Sequence, residues 1–79
     1  MRWSEALADA ERTLAAAGVA SPRVDAEYLA ARLTERPRSR LASAPPPSPE
    51  LLARFGELVA SRAARVPLQY LLGSAPMGP

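Results

Sequence analysis

Proline placement decides what this chain can fold into. Nine of the 79 residues are Pro, and they cut the sequence into helix-sized pieces. Inside a helix, proline lacks a needed N–H and clashes with the preceding turn. At the first helical position its missing N–H has no partner to lose. Pro22 and Pro49 each follow a Ser, a side chain that can accept an orphan N–H at a helix start. Pro67 stands near the front of the apolar run "RVPLQYLLG" at 65–73. These three prolines therefore read as helix starts. Pro45, Pro46 and Pro47 read as a stiff connection.

Periodicity fills in the pieces. Over 3–17, Trp3, Leu7, Ala10 and Leu14 form one helical stripe. Gly18 supplies the left-handed position that ends a helix, and Val19 folds back on the last turn. The helix opened by Ser21-Pro22 turns Ala26, Leu29, Ala30 and Leu33 inward. Pro37 starts a short turn reaching Leu41. The helix from Ser48-Pro49 runs to about Ala64 with Leu51, Leu52, Phe55, Leu58 and Val59 on a broad apolar face. Gly56 inside it is expected at a surface or a close helix contact. A final helix over 67–72 turns Leu68, Leu71 and Leu72 inward, with Gln69 off that face, Tyr70 to one side and Gly73 as its cap. The expected core is Trp3, Leu7, Leu14, Leu29, Leu33, Leu52, Phe55, Leu58, Leu68 and Leu71. The fold class is all-α: a small bundle of four to five helices with short loops over 1–73, followed by "SAPMGP" at 74–79, which reads as the start of a linker.

Composition supports helix and excludes much chemistry. Seventeen Ala and eleven Leu against four Val and no Ile favour helix over strand. With no Cys and no His there is no disulfide, no thiol nucleophile and neither of the commonest zinc ligands. A reducing, cytoplasmic setting fits. No apolar stretch approaches the ~20 residues of a membrane span. Three acids among the first eleven residues do not read as a signal peptide. No phosphate loop, dinucleotide fingerprint or metal spacing occurs. No catalytic, cofactor-binding or metal-binding residue is expected in this chain.

The remaining charges allow two readings each. All ten basic residues are Arg, which a GC-rich coding sequence explains, and the net charge is only +2. The densest patch is "RPRSR", with Arg36, Arg38 and Arg40, and Arg32 one turn upstream. It reads as a solvated loop balanced by Glu35 or as a phosphate-contacting surface. No aromatic residues are interleaved to stack bases. Glu5/Asp9 and Asp25/Glu27 read as acids on solvated faces. Arg23 and Asp25 are helix-end charges, or members of an ion pair that fixes the helix against a neighbour. Gln69 and Tyr70 are a surface amide and a packed ring, or a pair of ligand contacts.

Two stretches are more specific. "SPRVDAEYLAARL" at 21–33 resembles the Ser-x-Arg-x-Asp-Ala-Glu-x-Leu-Leu pattern of the peptide chain release factor glutamine methyltransferases, the HemK/PrmC family. "RAARVPLQYLLG" at 62–73 resembles the same family's Arg-Arg-x-x-x-Pro-Leu-Gln-Tyr-x-x-Gly segment. "PSPELLARF" lies between them in the matching order, so the resemblance covers essentially the whole chain. Val66-Pro67 stands where the family usually has Glu-Pro, and Met77 where it usually has Phe.

The resemblance implies a small helical N-terminal domain, followed in the family by a linker and a methyltransferase domain. That later domain binds S-adenosylmethionine and carries an Asn-Pro-Pro-Tyr motif. This sequence contains no Asn, so the motif is not in it. The implied role is recognition and positioning of a protein substrate, the peptide chain release factor, whose Gly-Gly-Gln glutamine the parent enzyme methylates. Expected partner contacts are Gln69, Tyr70, Arg36, Arg38 and Arg40; a membrane or nucleic acid is not expected as partner. The alternative is a free-standing helical interaction module binding nucleic acid through Arg32, Arg36, Arg38 and Arg40.

Overall fold

A computed structural model describes residues 1–73. Over them the chain forms α1 (Trp3–Ala16), α2 (Pro22–Thr34), a 3-10 helix (Arg38–Ser43), α3 (Pro49–Ala63) and α4 (Leu68–Gly73). This is the all-α bundle that the proline spacing predicts. The linker expected over 74–79 lies outside the described residues. The last helix takes in Gly73, which the sequence places just beyond it as a cap.

The helix starts differ in detail. Ser48 behaves as expected: its hydroxyl accepts the Leu51 N–H at 3.1 Å. Ser21 sits at the equivalent place before Pro22, but its hydroxyl makes no capping bond, because its backbone is not in the extended conformation. At α1 the Glu5 carboxylate accepts the Arg2 backbone N–H at 2.8 Å. Glu5 is therefore a capping group and not merely a solvated acid.

The three longer helices close in one way. Val19 N–H donates to Leu14 O, Arg36 N–H to Ala31 O and Val66 N–H to Ser61 O, each spanning five residues. Such a closure needs a left-handed residue just before the donor. Those residues are Gly18 (φ 85°), Glu35 (φ 56°) and Arg65 (φ 75°). Only the first is Gly. A side chain there costs ~1–2 kcal/mol, and Arg65 offsets part of it: its guanidinium donates to Ala17 O, at the end of α1, at 3.1 Å.

The core lies mainly where α1 crosses α2. Leu14 and Leu29 are fully enclosed. Ala10, Ala26 and Ala30 are buried beside them, small enough to let the helix backbones approach. Trp3 meets Phe55 of α3 edge to face, ring centres 5.3 Å apart, an arrangement worth ~0.5–1.5 kcal/mol beyond area burial. Two corrections follow. Leu33, Leu52, Leu58, Leu68 and Leu71 pack against the core only half-buried, since a bundle this small has too little interior for every apolar face. Leu41 joins the core instead, delivered by the 3-10 helix. Gly56 is exposed, with open space where a side chain would be.

Candidate functional site

The two sequence stretches singled out above meet in space. Asp25, from the first turn of α2, is buried, and its Oδ2 accepts from Arg62 Nε of α3 at 2.9 Å. Arg62 Nη1 also donates to Val66 O, just before Pro67, at 3.1 Å. One guanidinium thus ties α2, α3 and the entry to α4 together. The ion-pair reading of Asp25 holds, with Arg62 as its partner; the solvated-acid reading does not.

A second tie holds the other end of α4. Arg32 Nε donates to Leu72 O at 3.0 Å, a cation placed at the electronegative end of a short helix. Arg32 is thereby committed to internal docking and leaves the basic patch. Between the two ties, α4 presents Gln69 and Tyr70 to solvent, Tyr70 with 64% of its surface exposed. Tyr70 is not a packed ring.

Glu27 organises a third region. Its Oε2 accepts from Arg23 Nε at 3.1 Å, and its Oε1 from Arg38 Nε and Nη2 at 3.2 and 3.0 Å. Arg23 also lies 3.5 Å from Glu11 of α1. Arg38 stacks on the ring of Tyr28, 4.7 Å from its centre, a favourable cation–π geometry. The balancing carboxylate for the patch is therefore Glu27, not Glu35, whose place at the end of α2 is a backbone one. Partial burial pushes the Glu27 carboxyl up, but hydrogen bonds from Arg38 and Arg23, with their charges, outweigh it and hold the carboxyl below its ordinary value. The bond to Glu27 correspondingly raises Arg38.

Arg2, Arg23, Glu27 and Arg38 rim a cleft of about 440 Å³, walled inside by Trp3, Leu7, Leu41 and Pro46. Of the five expected contacts, the structure sets Gln69 and Tyr70 on α4, Arg38 and Arg40 on the 3-10 helix, and Arg36 in the connection before it. No hydrogen bond joins the two sets among the described residues. Arg36 and Arg40 are exposed, and their side chains enter no ion pair there. The cleft went unseen in the sequence because Arg2, Arg23 and Arg38 lie far apart along it. The four-residue step from Arg23 to Glu27 is the one local hint of their pairing.

The architecture is a small helical bundle: three packed helices, a fourth tied at both ends, and charged surface left over. The chain belongs to the PrmC N-terminal domain family, whose pattern it matches over residues 5–73. It is 54% identical over 78 residues to the release factor glutamine methyltransferase of Mycolicibacterium smegmatis, covering 99% of this chain and 28% of that protein. It is 46% identical over 79 residues to the Mycobacterium tuberculosis H37Rv protein of the same name, all of this chain and 26% of that one. The Streptomyces coelicolor protein of that name is 48% identical over 69 residues, 87% of this chain and 24% of its own. The chain thus spans about a quarter of the length of these relatives. No solved structure matches it.

Proposed function

We propose that the chain is the substrate-recognition and positioning domain of an S-adenosylmethionine-dependent methyltransferase. The parent enzyme methylates the glutamine amide of the Gly-Gly-Gln loop of peptide chain release factors, in the cytoplasm. An amide nitrogen is a weak nucleophile, so the reaction depends on orientation beside the methyl donor. A domain that grips the protein substrate away from the reacting atom supplies binding energy for that orientation.

The observation that carries this reading is the double tying of α4. Arg62 fixes its entry through Asp25 and Val66, and Arg32 fixes its end through Leu72. A helix so held can hand the chain onward in a set direction while Gln69 and Tyr70 remain free for contact. The cofactor belongs to the rest of the parent protein. The arginine rim of the cleft at the start of α1 opposes a sulfonium charge.

The nucleic-acid reading loses most of its patch. Arg32 is engaged with Leu72 O and Arg38 is paired with Glu27, so Arg36 and Arg40 are the members of the patch with no carboxylate partner among the described residues. The deciding experiment is steady-state methylation by the intact enzyme with and without residues 1–73. Removal should raise KM for an intact release factor and leave KM for a short Gly-Gly-Gln peptide unchanged. Equal effects on both substrates would overturn the reading.

A further inference from the structure

We propose that the arginine-rimmed cleft between the start of α1 and the 3-10 helix is the docking site for an acidic, leucine-bearing segment of the protein substrate. This rests on the proposed function and names the surface that would carry it.

Three features converge on the cleft. The first is charge. Three arginines, Arg2, Arg23 and Arg38, line the cleft with one carboxylate residue, Glu27. Glu27 binds Arg23 through one oxygen and Arg38 through the other. It therefore holds two guanidiniums in place, and each keeps N–H donors that it does not use. Fixed guanidiniums lose less freedom on meeting an anion than mobile ones. Carboxylates on the neighbouring surface are Glu5, engaged with the Arg2 backbone N–H, and Glu11, engaged with Arg23. Arg2 enters no ion pair among the described residues, and its side chain is exposed.

The second feature is the helix start itself. Trp3 and Ser4, the first residues of α1, line the cleft, and that end of a helix carries partial positive charge. The third is shape. Behind the charged rim stand Trp3, Leu7, Leu41 and Pro46, enclosing a volume within the range of small-ligand pockets. An apolar interior with a cationic rim suits a carboxylate flanked by an aliphatic side chain.

The same walls argue against nucleic acid. Stacking a base needs an open aromatic face. Trp3, the one aromatic residue lining the cleft, is buried and engaged edge-on with Phe55, and Arg38 covers one face of the nearby Tyr28 ring. A carboxylate beside an aliphatic side chain uses both the arginine rim and the apolar walls.

The test uses the intact enzyme and a fluorescent peptide of alternating Glu and Leu. The double variant Arg2→Ala/Arg38→Ala should bind that peptide about tenfold more weakly, or worse, as loss of charge-assisted bonds predicts. KM for an intact release factor should rise by a similar factor with kcat nearly unchanged, and Arg54→Ala on the far helix should change neither. Arg2→Glu alone should also weaken the peptide while leaving the circular dichroism spectrum as in the parent, which separates docking from folding. Peptide binding untouched by these changes would overturn the proposal. So would a polyaspartate that binds as tightly as the Glu-Leu peptide, or a short oligouridylate that binds more tightly. If removing residues 1–73 raises KM for the release factor and the cleft variants do not, the cleft assignment alone falls. If removal leaves KM unchanged, the proposed function falls with it.

Discussion

Asp25 and Arg62 lie 37 positions apart in the chain and 2.9 Å apart in space, joined through Oδ2 and Nε. Arg62 also reaches Val66 O, so the pair governs both how α2 meets α3 and how the chain enters α4. A buried ion pair adds little net stability over an apolar pair of equal volume, yet breaking one side of it is costly. Arg62→Ala should therefore destabilise the 79-residue chain by about 3 kcal/mol, the low end for a buried pair, because the Arg62 side chain keeps 22% of its surface exposed. Asp25→Asn, which keeps the shape and one acceptor, should cost less. Urea denaturation of the two variants checks the order; an Arg62→Ala midpoint equal to the parent's would show the pair to be dispensable.

Leu29 is fully enclosed, whereas Leu33, one turn on, is only half-buried. Leu29→Ala should cost ~2–5 kcal/mol, a large share of a total expected near the low end of ~5–15 kcal/mol. Leu33→Ala should cost clearly less. Thermal melts of the pair measure this, and equal losses would contradict the burial that separates them.

Gly18 and Gly56 should respond to substitution with opposite sign. Gly56 is helical and exposed with open space around it, so Gly56→Ala should stabilise by ~0.5–1 kcal/mol through the unfolded state and helix propensity. Gly18 has φ 85°, and a Cβ there would stand 2.9 Å from Arg65 Nη2. Gly18→Ala should destabilise by ~1–2 kcal/mol and loosen the Arg65 bond to Ala17 O. Denaturation midpoints moving the same way in both variants would refute this contrast.

Acid should weaken the Glu27 cluster. Its carboxyl titrates below the ordinary value of 4.5 in the folded chain, so its contribution is complete above that value. The contribution is lost as the pH falls through the lowered one. Glu27→Gln should be modestly less stable than the parent at neutral pH, and the gap should close in acid. A gap independent of pH would mean that Glu27 acts by packing alone.

Local chemistry made the helices legible; tertiary pairing was harder to read. Prolines at first-turn positions and the Trp3–Leu14 stripe report on their own neighbourhoods, and the structure follows them. Gly18 likewise announced its turn. Glu35 and Arg65 take the same left-handed position with no residue-type signal, because the helix-closing hydrogen bonds of Arg36 and Val66 require that backbone there. The candidate surface was legible only in part. Arg36 and Arg40 are exposed as their composition suggests, but Arg32 and Arg38 are each held by a partner, 40 and 11 residues away, that the local sequence does not announce. The half-buried Leu residues show the same limit from the other side: periodicity tells which face is apolar, not how deep that face will lie.

The cation chemistry of this bundle constrains how its sequence can drift. Arg62 serves a carboxylate with one nitrogen and a carbonyl with another. Arg38 sends two nitrogens to one oxygen and lays its plane on a ring. An ammonium is a single point and can copy neither arrangement. Were the coding sequence to shift toward AT-rich codons, Lys could enter freely at Arg36, Arg40 and Arg54, while Arg62 and Arg38 would lag behind. The composition of the codons and the geometry that employs the arginines would then come apart, position by position.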